Sequence, residues 1–159
     1  MKIISGGQTG VDRAALDFAI RLGLEHGGWC PRGRLAEDGP IAPRYRLRET
    51  ESSDYGERTE KNALEADATL IIVRDEPLSG GTAFTRELAA ERGRPVLVVC
   101  EKDGLRESVF RTAQFLKRHS VQTLNVAGPR ESEAPGLGGF VSALLAAALS
   151  NLGSGRISS

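Results

Sequence analysis

The chain has few aromatic residues and no excess of charge of either sign. Aromatic side chains make up 5% of its 159 residues, too few to indicate a platform on which single-stranded nucleic acid stacks. Lysine plus arginine equals aspartate plus glutamate at 21 each, so no overall positive field favours nucleic acid as a partner. No apolar run reaches the length of a membrane span, and no signal-peptide pattern opens the chain. We therefore predict a cytoplasmic protein with neither a membrane nor a nucleic acid as partner.

Cysteine is scarce too, with two residues in the chain. Cys30 and Cys100 each end a β-type run, a position that favours burial as a free thiol. Because buried free thiols fit a reducing compartment such as the cytoplasm, no disulfide framework is expected.

What the chain does contain is a regular alternation of strand-like and helix-like segments. The predicted strands are 2–4, 28–30, 69–73, 96–99 and 122–126. The predicted helices are 11–22, 57–66, 83–92, 105–118 and 140–152. This alternation predicts an α/β fold, a three-layer sandwich whose mostly parallel sheet of about five strands carries helices on both faces. We expect residues 1–152 to form a single ligand-binding domain and 153–159 a flexible tail.

The most informative segment is a glycine-rich turn between the first strand and the first helix, which reads Ser5-Gly6-Gly7-Gln8-Thr9-Gly10. Its pattern differs from the Gly-x-Gly-x-x-Gly of dinucleotide sites and from the Walker A loop. A turn at this place presents backbone N–H groups and the positive end of a helix dipole, which bind phosphates. We predict that this turn is a phosphate cradle formed by Gly6, Gly7, Gln8, Thr9 and Gly10. Two charged residues, Asp12 and Arg13, fix the start of the helix that follows. The alternative is an ordinary structural turn.

Other predicted strand ends carry further groups that bind anions. In open parallel sheets, ligands bind at the carboxyl ends of the strands. We also predict that Asn125 lies at this rim and that Arg32, Arg34 or Arg130 neutralises the charge of the ligand. A second glycine turn opens the third helix and supplies a second lip of the site, formed by Ser79, Gly80, Gly81 and Thr82.

Residues 31–56 form a long segment without a clear period. Loops of this size are commonly functional or part of an interface. Two interpretations stay open: a solvated loop of mixed charge, or a flap or an arm on a neighbouring subunit that places Arg32 or Arg34 on an anion. Within this segment, Glu37 and Asp38 are either solvated or serve as an acid–base pair or as Mg²⁺ ligands beside a phosphate.

No metal centre is predicted from the histidines and cysteines. On a straight strand His26 and Cys30 are roughly 13 Å apart, too far to share a metal ion. Trp29 is expected in the core or at an interface rather than as a stacking surface for a ligand.

Several blocks of the sequence resemble the molybdenum cofactor carrier family. That family is related by circular permutation to the YpsA proteins, within a Rossmann-like superfamily that also contains the lysine-decarboxylase-like nucleotide hydrolases. The matching blocks follow one another along nearly the whole chain: 5–17, 27–34, 36–41, 58–59 with 62, 80–82 and 124–132. The resemblance implies a Rossmann-like fold, an oligomer, and the binding of a phosphate-bearing pterin cofactor without chemistry on it.

The second glycine turn departs from the pattern of the hydrolase relatives. They carry Gly-Gly-x-Gly-Thr-x-x-Glu, whereas Ala83 and Phe84 stand here in place of the inner Gly-Thr, with Glu87 still in register. A loop without the second glycine and the hydroxyl should hold a ribose phosphate differently. The departure counts against N-glycosidic hydrolysis without excluding it.

The leading hypothesis is a non-catalytic carrier that holds molybdopterin or the molybdenum cofactor at the carboxyl ends of the strands. The resemblance implies this cofactor, and a molybdoenzyme would then be a transient partner. A nucleotide is the alternative ligand, bound by a nucleoside-monophosphate hydrolase in which Glu87 assists departure of the base, or by a nucleotide sensor. The long 31–56 segment and the segment 140–149, a helix apolar on every face, predict a homodimer or homotetramer.

Overall fold

The computed structural model of the chain describes residues 1–154. Its strands are β1 (Lys2–Ile4), β2 (Glu25–Gly27), β3 (Trp29–Cys30), β4 (Leu35–Ala36), β5 (Gly39–Pro40), β6 (Arg48–Glu49), β7 (Ala68–Val73), β8 (Val96–Cys100) and β9 (Thr123–Ala127). Its helices are α1 (Val11–Arg21), α2 (Tyr55–Glu65), α3 (Gly80–Glu91), α4 (Leu105–Arg118) and α5 (Leu137–Ser154).

Five strands form one parallel sheet in the order β2–β1–β9–β7–β8. Helices α1, α4 and α5 pack together on one face, and α2 and α3 pack together on the other. Because both faces are covered, all six residues of β7 are buried. The predicted three-layer α/β fold with a parallel five-stranded sheet is confirmed.

The last helix packs against two helices of its own chain. α5 contacts α1 and α4, and its buried face includes Val141, Leu144 and Leu145. Contacts within the subunit therefore bury much of the apolar surface of α5 from which an oligomer was predicted. The apolar residues of α5 that stay exposed include Ala143 and Ala146. Within residues 1–154 no helix, α5 included, is both long and apolar enough to cross a membrane.

The second strand of the sheet lies earlier in the chain than predicted. Residues Glu25–Gly27, and not 28–30, pair with β1. Gly28 then turns the chain with a φ of +122°, and a Cβ there would lie 2.2 Å from the carbonyl oxygen of Ser5. Trp29–Cys30 leaves the sheet and pairs with β6. Local hydrophobicity does not distinguish two strands this short, and it is the turn at Gly28, packed against Ser5, that decides which of them pairs with β1.

The glycines of the second turn form the first turn of α3, so this helix begins three residues earlier than the predicted start at 83. α5 runs to Ser154, so residues 153 and 154 of the predicted tail are helical. Residues 155–159, the rest of that tail, lie outside the described residues. The other helices, and the sheet strands after β2, end within two residues of the predicted bounds.

The long segment 31–56 folds back onto its own domain. Arg34, which has a φ of +54°, holds this loop together from inside. Its guanidinium donates to four backbone carbonyls of the loop, those of Ile41, Ala42, Tyr45 and Leu47. Ile41 and Tyr45 are in turn buried against Leu16 of α1. Arg34 is therefore committed to its own loop, which corrects the expectation of an arm that places it on an anion.

Both cysteines are buried and free, as predicted. Cys30 packs in the cluster beneath the loop, and Cys100 ends β8. Burial raises the pKa of both thiols above its ordinary value, because a thiolate would be poorly solvated there. Neither thiol is therefore activated as a nucleophile.

Candidate functional site

A cleft of about 180 Å³ opens at the carboxyl ends of strands of the sheet. This is the edge at which open parallel sheets bind ligands. The lining comes from the turn after β1, from α2, from the start of α3, and from the end of β9 with the loop that follows. The lining residues are Gly6, Gln8, Asp12, Tyr55, Gly56, Arg58, Thr59, Asn62, Gly81, Thr82, Phe84, Thr85, Asn125, Ala127, Gly128, Arg130 and Glu133.

Two parts of the cleft differ in exposure. Gln8, Asp12 and Asn125 are between 3% and 5% exposed, and we call these three residues the floor. Tyr55 and Phe84 are 36% and 44% exposed, and we call these two aromatic residues the mouth. A ligand that fills the cleft would therefore meet polar groups inside and aromatic rings at the entrance.

The N–H groups of the first glycine turn are already hydrogen-bonded to side chains of the same turn. The N–H of Gly7 donates to Ser5 Oγ at 3.3 Å, and that of Gln8 to Asp12 Oδ2 at 3.4 Å. The N–H of Thr9 donates to Gln8 Oε1 at 3.0 Å. Asp12, in the first turn of α1, thus accepts from the glycine turn that precedes its helix, and a negative charge is favoured at that helix end. These three N–H groups are not open to a phosphate, which corrects the geometry of the predicted cradle.

Gly7 lies directly beneath the long loop. It has a φ of +75°, and a Cβ at this position would lie 2.5 Å from Leu47 Cδ1 and 3.1 Å from Ile41 Cδ1. Both contacts come from the 31–56 loop. The glycine is required because the loop packs directly on the turn.

Asp12 is a buried acid beside an arginine. Burial raises the pKa of Asp12 from 3.8 to about 6, and the Arg58 guanidinium and the N–H of Gln8 partly oppose the rise. Arg58 Nη1 lies 3.5 Å from Asp12 Oδ2 and donates to the carbonyl of Gly6 at 3.0 Å. The desolvation of the carboxylate outweighs the attraction of the guanidinium, so Asp12 changes charge near neutral pH.

Gln8 has a fixed amide orientation and an unused donor. Its Oε1 accepts from the N–H of Thr9 at 3.0 Å and from the N–H of Glu37 at 2.9 Å. Because the oxygen faces two N–H groups, the nitrogen must point the other way. Nε2 is buried, and no described residue accepts a hydrogen bond from it.

The N-terminus of α3 has no side-chain cap. Ser79 precedes the helix in an extended conformation, and its hydroxyl makes no capping hydrogen bond. No acidic residue stands in the first turn. The N–H groups of this turn have no intrahelical partner, and two of its residues, Gly81 and Thr82, line the cleft. The positive end of this helix dipole therefore faces the cleft uncompensated.

Arginines and an aromatic ring meet at the mouth. The guanidinium carbons of Arg58 and Arg130 lie 5.1 Å and 5.8 Å from the centroid of the Tyr55 ring. Arg130 also pairs with Glu133 at 3.0 Å. The Tyr55 ring thus lies between a buried guanidinium, that of Arg58, and a more exposed one, that of Arg130, which is placed to attract anions at the opening.

The structure brings seven of the predicted site residues into the cleft. They come from the turn after β1, from the start of α3, and from β9 with its following loop. They are Gly6, Gln8, Asp12, Gly81, Thr82, Asn125 and Arg130.

The other predicted site residues lie outside the cleft lining: Gly7, Thr9, Gly10, Arg13, Arg32, Arg34, Ser79 and Gly80. Thr9 Oγ1 donates to Glu37 Oε1 at 2.5 Å and accepts from the N–H of Glu131 at 3.1 Å. Arg13 pairs with Asp38 at 2.5 Å and donates to the carbonyl of Gly7 at 3.1 Å. These residues join the turn to its neighbouring loops. Glu87, the acid of the hydrolase hypothesis, is exposed on α3 and is also absent from the lining.

Glu37 and Asp38 are exposed, lie outside the cleft lining and are both held by hydrogen bonds. Glu37 accepts from Thr9 and from both the N–H and the hydroxyl of Ser132, at 3.1 and 2.6 Å. The hydrogen bonds from Ser132 and Thr9 lower the pKa of Glu37, and the hydrogen bond from Arg13 lowers that of Asp38. Both acids therefore fasten the long loop to the rest of the domain.

The contribution of α2 to the cleft is absent from the predicted site. α2 supplies Tyr55, Gly56, Arg58, Thr59 and Asn62. A signal existed, because 58, 59 and 62 stand in the blocks that carry the family resemblance. Composition and spacing assign no chemistry to them, since their place beside the first glycine turn depends on contacts more than 30 residues apart, such as that of Arg58 with Gly6.

Comparison with known proteins supports this fold and identifies the family of the chain. Residues 3–149 match the model of the circularly permutated YpsA SLOG family. The chain belongs to this family. It is also similar to a crystal structure from Syntrophus aciditrophicus, named "Putative molybdenum carrier protein", with 44% sequence identity and a TM-score of 0.90 over 93% of this chain and 94% of that chain. A comparison with curated proteins found no match.

Proposed function

We propose that this protein binds molybdopterin, or the molybdenum cofactor made from it, in the cleft and carries it without chemical change. The observation that carries the proposal is the 44% identity, over 93% of the chain, to a protein named as a molybdenum carrier. The cleft adds support, because it lies where α/β sheets of this kind bind their ligands.

The phosphate of the ligand would bind at the start of α3. The first turn of that helix has no cap and no acidic residue, and a Cβ built on Gly81 meets nothing within 4 Å. An anion in this open space would accept from the N–H groups of the first turn and gain from the helix dipole. Arg130, at the mouth of the same cleft, would supply a charge-assisted hydrogen bond.

The acids of the cleft favour a carrier over a hydrolase. Asp12 is buried 3.5 Å from Arg58, on the floor of the cleft, and Glu133 is paired with Arg130. Glu87, which a hydrolase would need beside the glycosidic bond, lies on the exposed side of α3 outside the lining. A general acid has to reach the atom that it protonates, so this placement supports binding without chemistry.

Native mass spectrometry of protein purified from a host that makes the molybdenum cofactor tests the proposal. We expect the wild type to retain a pterin, measured also by fluorescence of its oxidised product and by molybdenum content. Gly81→Asp should lose the ligand, because a carboxylate would occupy the anion position, and Gly81→Asn should keep it as the matched neutral control. If the wild type carries neither pterin nor molybdenum while a molybdoenzyme from the same host is loaded, the proposal is wrong.

A further inference from the structure

The floor of the cleft contains a hydrogen-bond donor that the protein itself does not use. Gln8 is 4% exposed, and Nε2 has no acceptor among residues 1–154. Exchanging the oxygen and nitrogen of the amide would not give Nε2 an acceptor, because the atom in the position of Oε1 faces the N–H groups of Thr9 and Glu37. Buried donors without an acceptor are rare in folded proteins, and a bound ligand is one of the accepted reasons for them.

An acceptor with spare capacity lies beside this donor. The N–H of Gln8 is 3.4 Å from Asp12 Oδ2, and Arg58 Nη1 is 3.5 Å from the same oxygen. The N–H of Gly128 also donates to this carboxylate. A carboxylate offers about four lone-pair positions, so these long contacts leave Asp12 able to accept from a ligand.

The phosphate of a ligand is not expected at this floor. A phosphate beside the ionised Asp12 would meet a like charge in a poorly solvated place. The uncapped start of α3 offers an anion a better position in the same cleft. The floor is thus left for a neutral part of the ligand that combines N–H donors with a carbonyl oxygen.

We infer that Asp12 and Gln8 recognise the edge of a 2-amino-4-oxopyrimidine ring, the edge shared by pterins and guanine, with the phosphate held outside at α3. Asp12 accepts from the ring N–H and the exocyclic amino group, and Gln8 Nε2 donates to the ring carbonyl. This inference rests on the proposed function and names the chemistry by which the same cleft selects its ring. An adenine ring presents an unprotonated nitrogen to Asp12 and an amino group to Nε2, so it mismatches both residues.

The charge state of Asp12 is consistent with this assignment. Its pKa of about 6 leaves it ionised, and hence an acceptor, above neutral pH. The charged groups that act on it are Arg58 and Arg13, both cationic. Binding of the ring should therefore be stronger at pH 8 than at pH 5, where Asp12 is largely protonated.

Titration calorimetry at pH 8 with three probes tests the inference: GMP, AMP and ribose 5-phosphate. GMP carries the recognised edge, AMP carries the mismatched one, and ribose 5-phosphate has no heterocyclic base. We expect the wild type to bind GMP at least about tenfold more tightly than AMP, the scale of one lost hydrogen bond to a charged group.

Two variants separate the two contacts. Gln8→Glu keeps an oxygen for the N–H groups of Thr9 and Glu37 but exchanges the donor for a carboxylate oxygen beside Asp12, and Asp12→Asn removes the carboxylate of the floor. Each should reduce the preference for GMP over AMP by about tenfold. Because each variant also changes the charge of the cleft, the ratio of the two affinities is compared, and ribose 5-phosphate measures the accompanying change in phosphate binding. Glu87→Gln, which lies outside the cleft lining, is the control and should bind like the wild type. Thermal unfolding checks that each variant is folded.

The outcomes distinguish the inference from the function on which it rests. Equal binding of GMP and AMP by the wild type overturns the ring recognition and leaves the carrier proposal standing. A preference for GMP that survives in both floor variants overturns it as well. Failure of the wild type to bind any of the three probes, together with purification free of pterin and molybdenum, overturns the proposed function itself.

Discussion

Asp12 Oδ2 and Arg58 Nη1 lie 3.5 Å apart at the bottom of the cleft, and both side chains are largely buried. The pair joins the first glycine turn to α2, which is distant in the sequence. Even so, burial raises the pKa of Asp12 to about 6, because the cost of desolvating the carboxylate exceeds the attraction of the guanidinium. The ionised carboxylate of Asp12 therefore costs stability at neutral pH, and Arg58 reduces that cost without removing it, as expected of a group kept for a purpose other than folding.

The first prediction concerns stability against pH. The pKa of Asp12 is raised from 3.8 to about 6 on folding, so its contribution is fully present below pH 4 and is lost as the pH rises through 6. Relative to Asp12→Asn, the free energy of unfolding of the wild type should fall by up to about 3 kcal/mol across this window. Urea denaturation of both proteins between pH 4 and pH 8 measures the difference. Parallel curves would show that the carboxyl group has an ordinary pKa.

The second prediction concerns the glycine turn. Gly7→Ala should lower the free energy of unfolding by roughly 2–4 kcal/mol, because it combines a positive φ with overpacking against Leu47. Gly81→Ala is the control: its Cβ meets nothing within 4 Å, and a helix favours alanine by roughly 0.5–1 kcal/mol. Urea denaturation of the two variants gives both values. A Gly7 variant as stable as the wild type would mean that the loop does not pack on the turn.

The third prediction separates two arginines that the sequence treats alike. Arg130 lines the cleft, whereas Arg32 is an exposed loop residue outside the lining. Arg130→Ala should weaken the binding of GMP by about tenfold or more, the scale of a lost charge-assisted hydrogen bond. Arg32→Ala should leave the affinity unchanged. Calorimetry at fixed ionic strength measures both, and equal losses in the two variants would point to a general field effect in place of a contact.

The fourth prediction is that the protein forms a homodimer or homotetramer. The family resemblance implies an oligomer, and α5 still exposes Ala143 and Ala146 after packing against α1 and α4. Light scattering at micromolar concentration should give two or four times the 17.0 kDa mass of the chain. A monomeric mass would contradict the prediction.

The order and type of the main elements follow from local patterns. The helix predicted at 105–118 has those bounds in the structure, because its apolar side chains recur at helical spacing and Gly104 precedes it. The uninterrupted apolar run at 69–73 predicts a strand covered on both faces, and β7 is one. These features depend on residues that are a few positions apart, so the sequence of one segment is enough to predict the element that it forms.

The sequence by itself determined the α/β alternation, the glycine turns at two strand ends, and the edge of the sheet at which the cleft opens. Tertiary structure alone decided which groups face the cleft. Gly7 packs against Leu47. Gln8 Oε1 accepts from the N–H of Glu37, 29 positions away, and the carbonyl of Gly6 accepts from Arg58, 52 positions away. Whether a turn's N–H groups are free for a ligand or already bonded depends on such partners. A local pattern specifies backbone geometry, whereas the partners of a side chain are set by how distant segments pack.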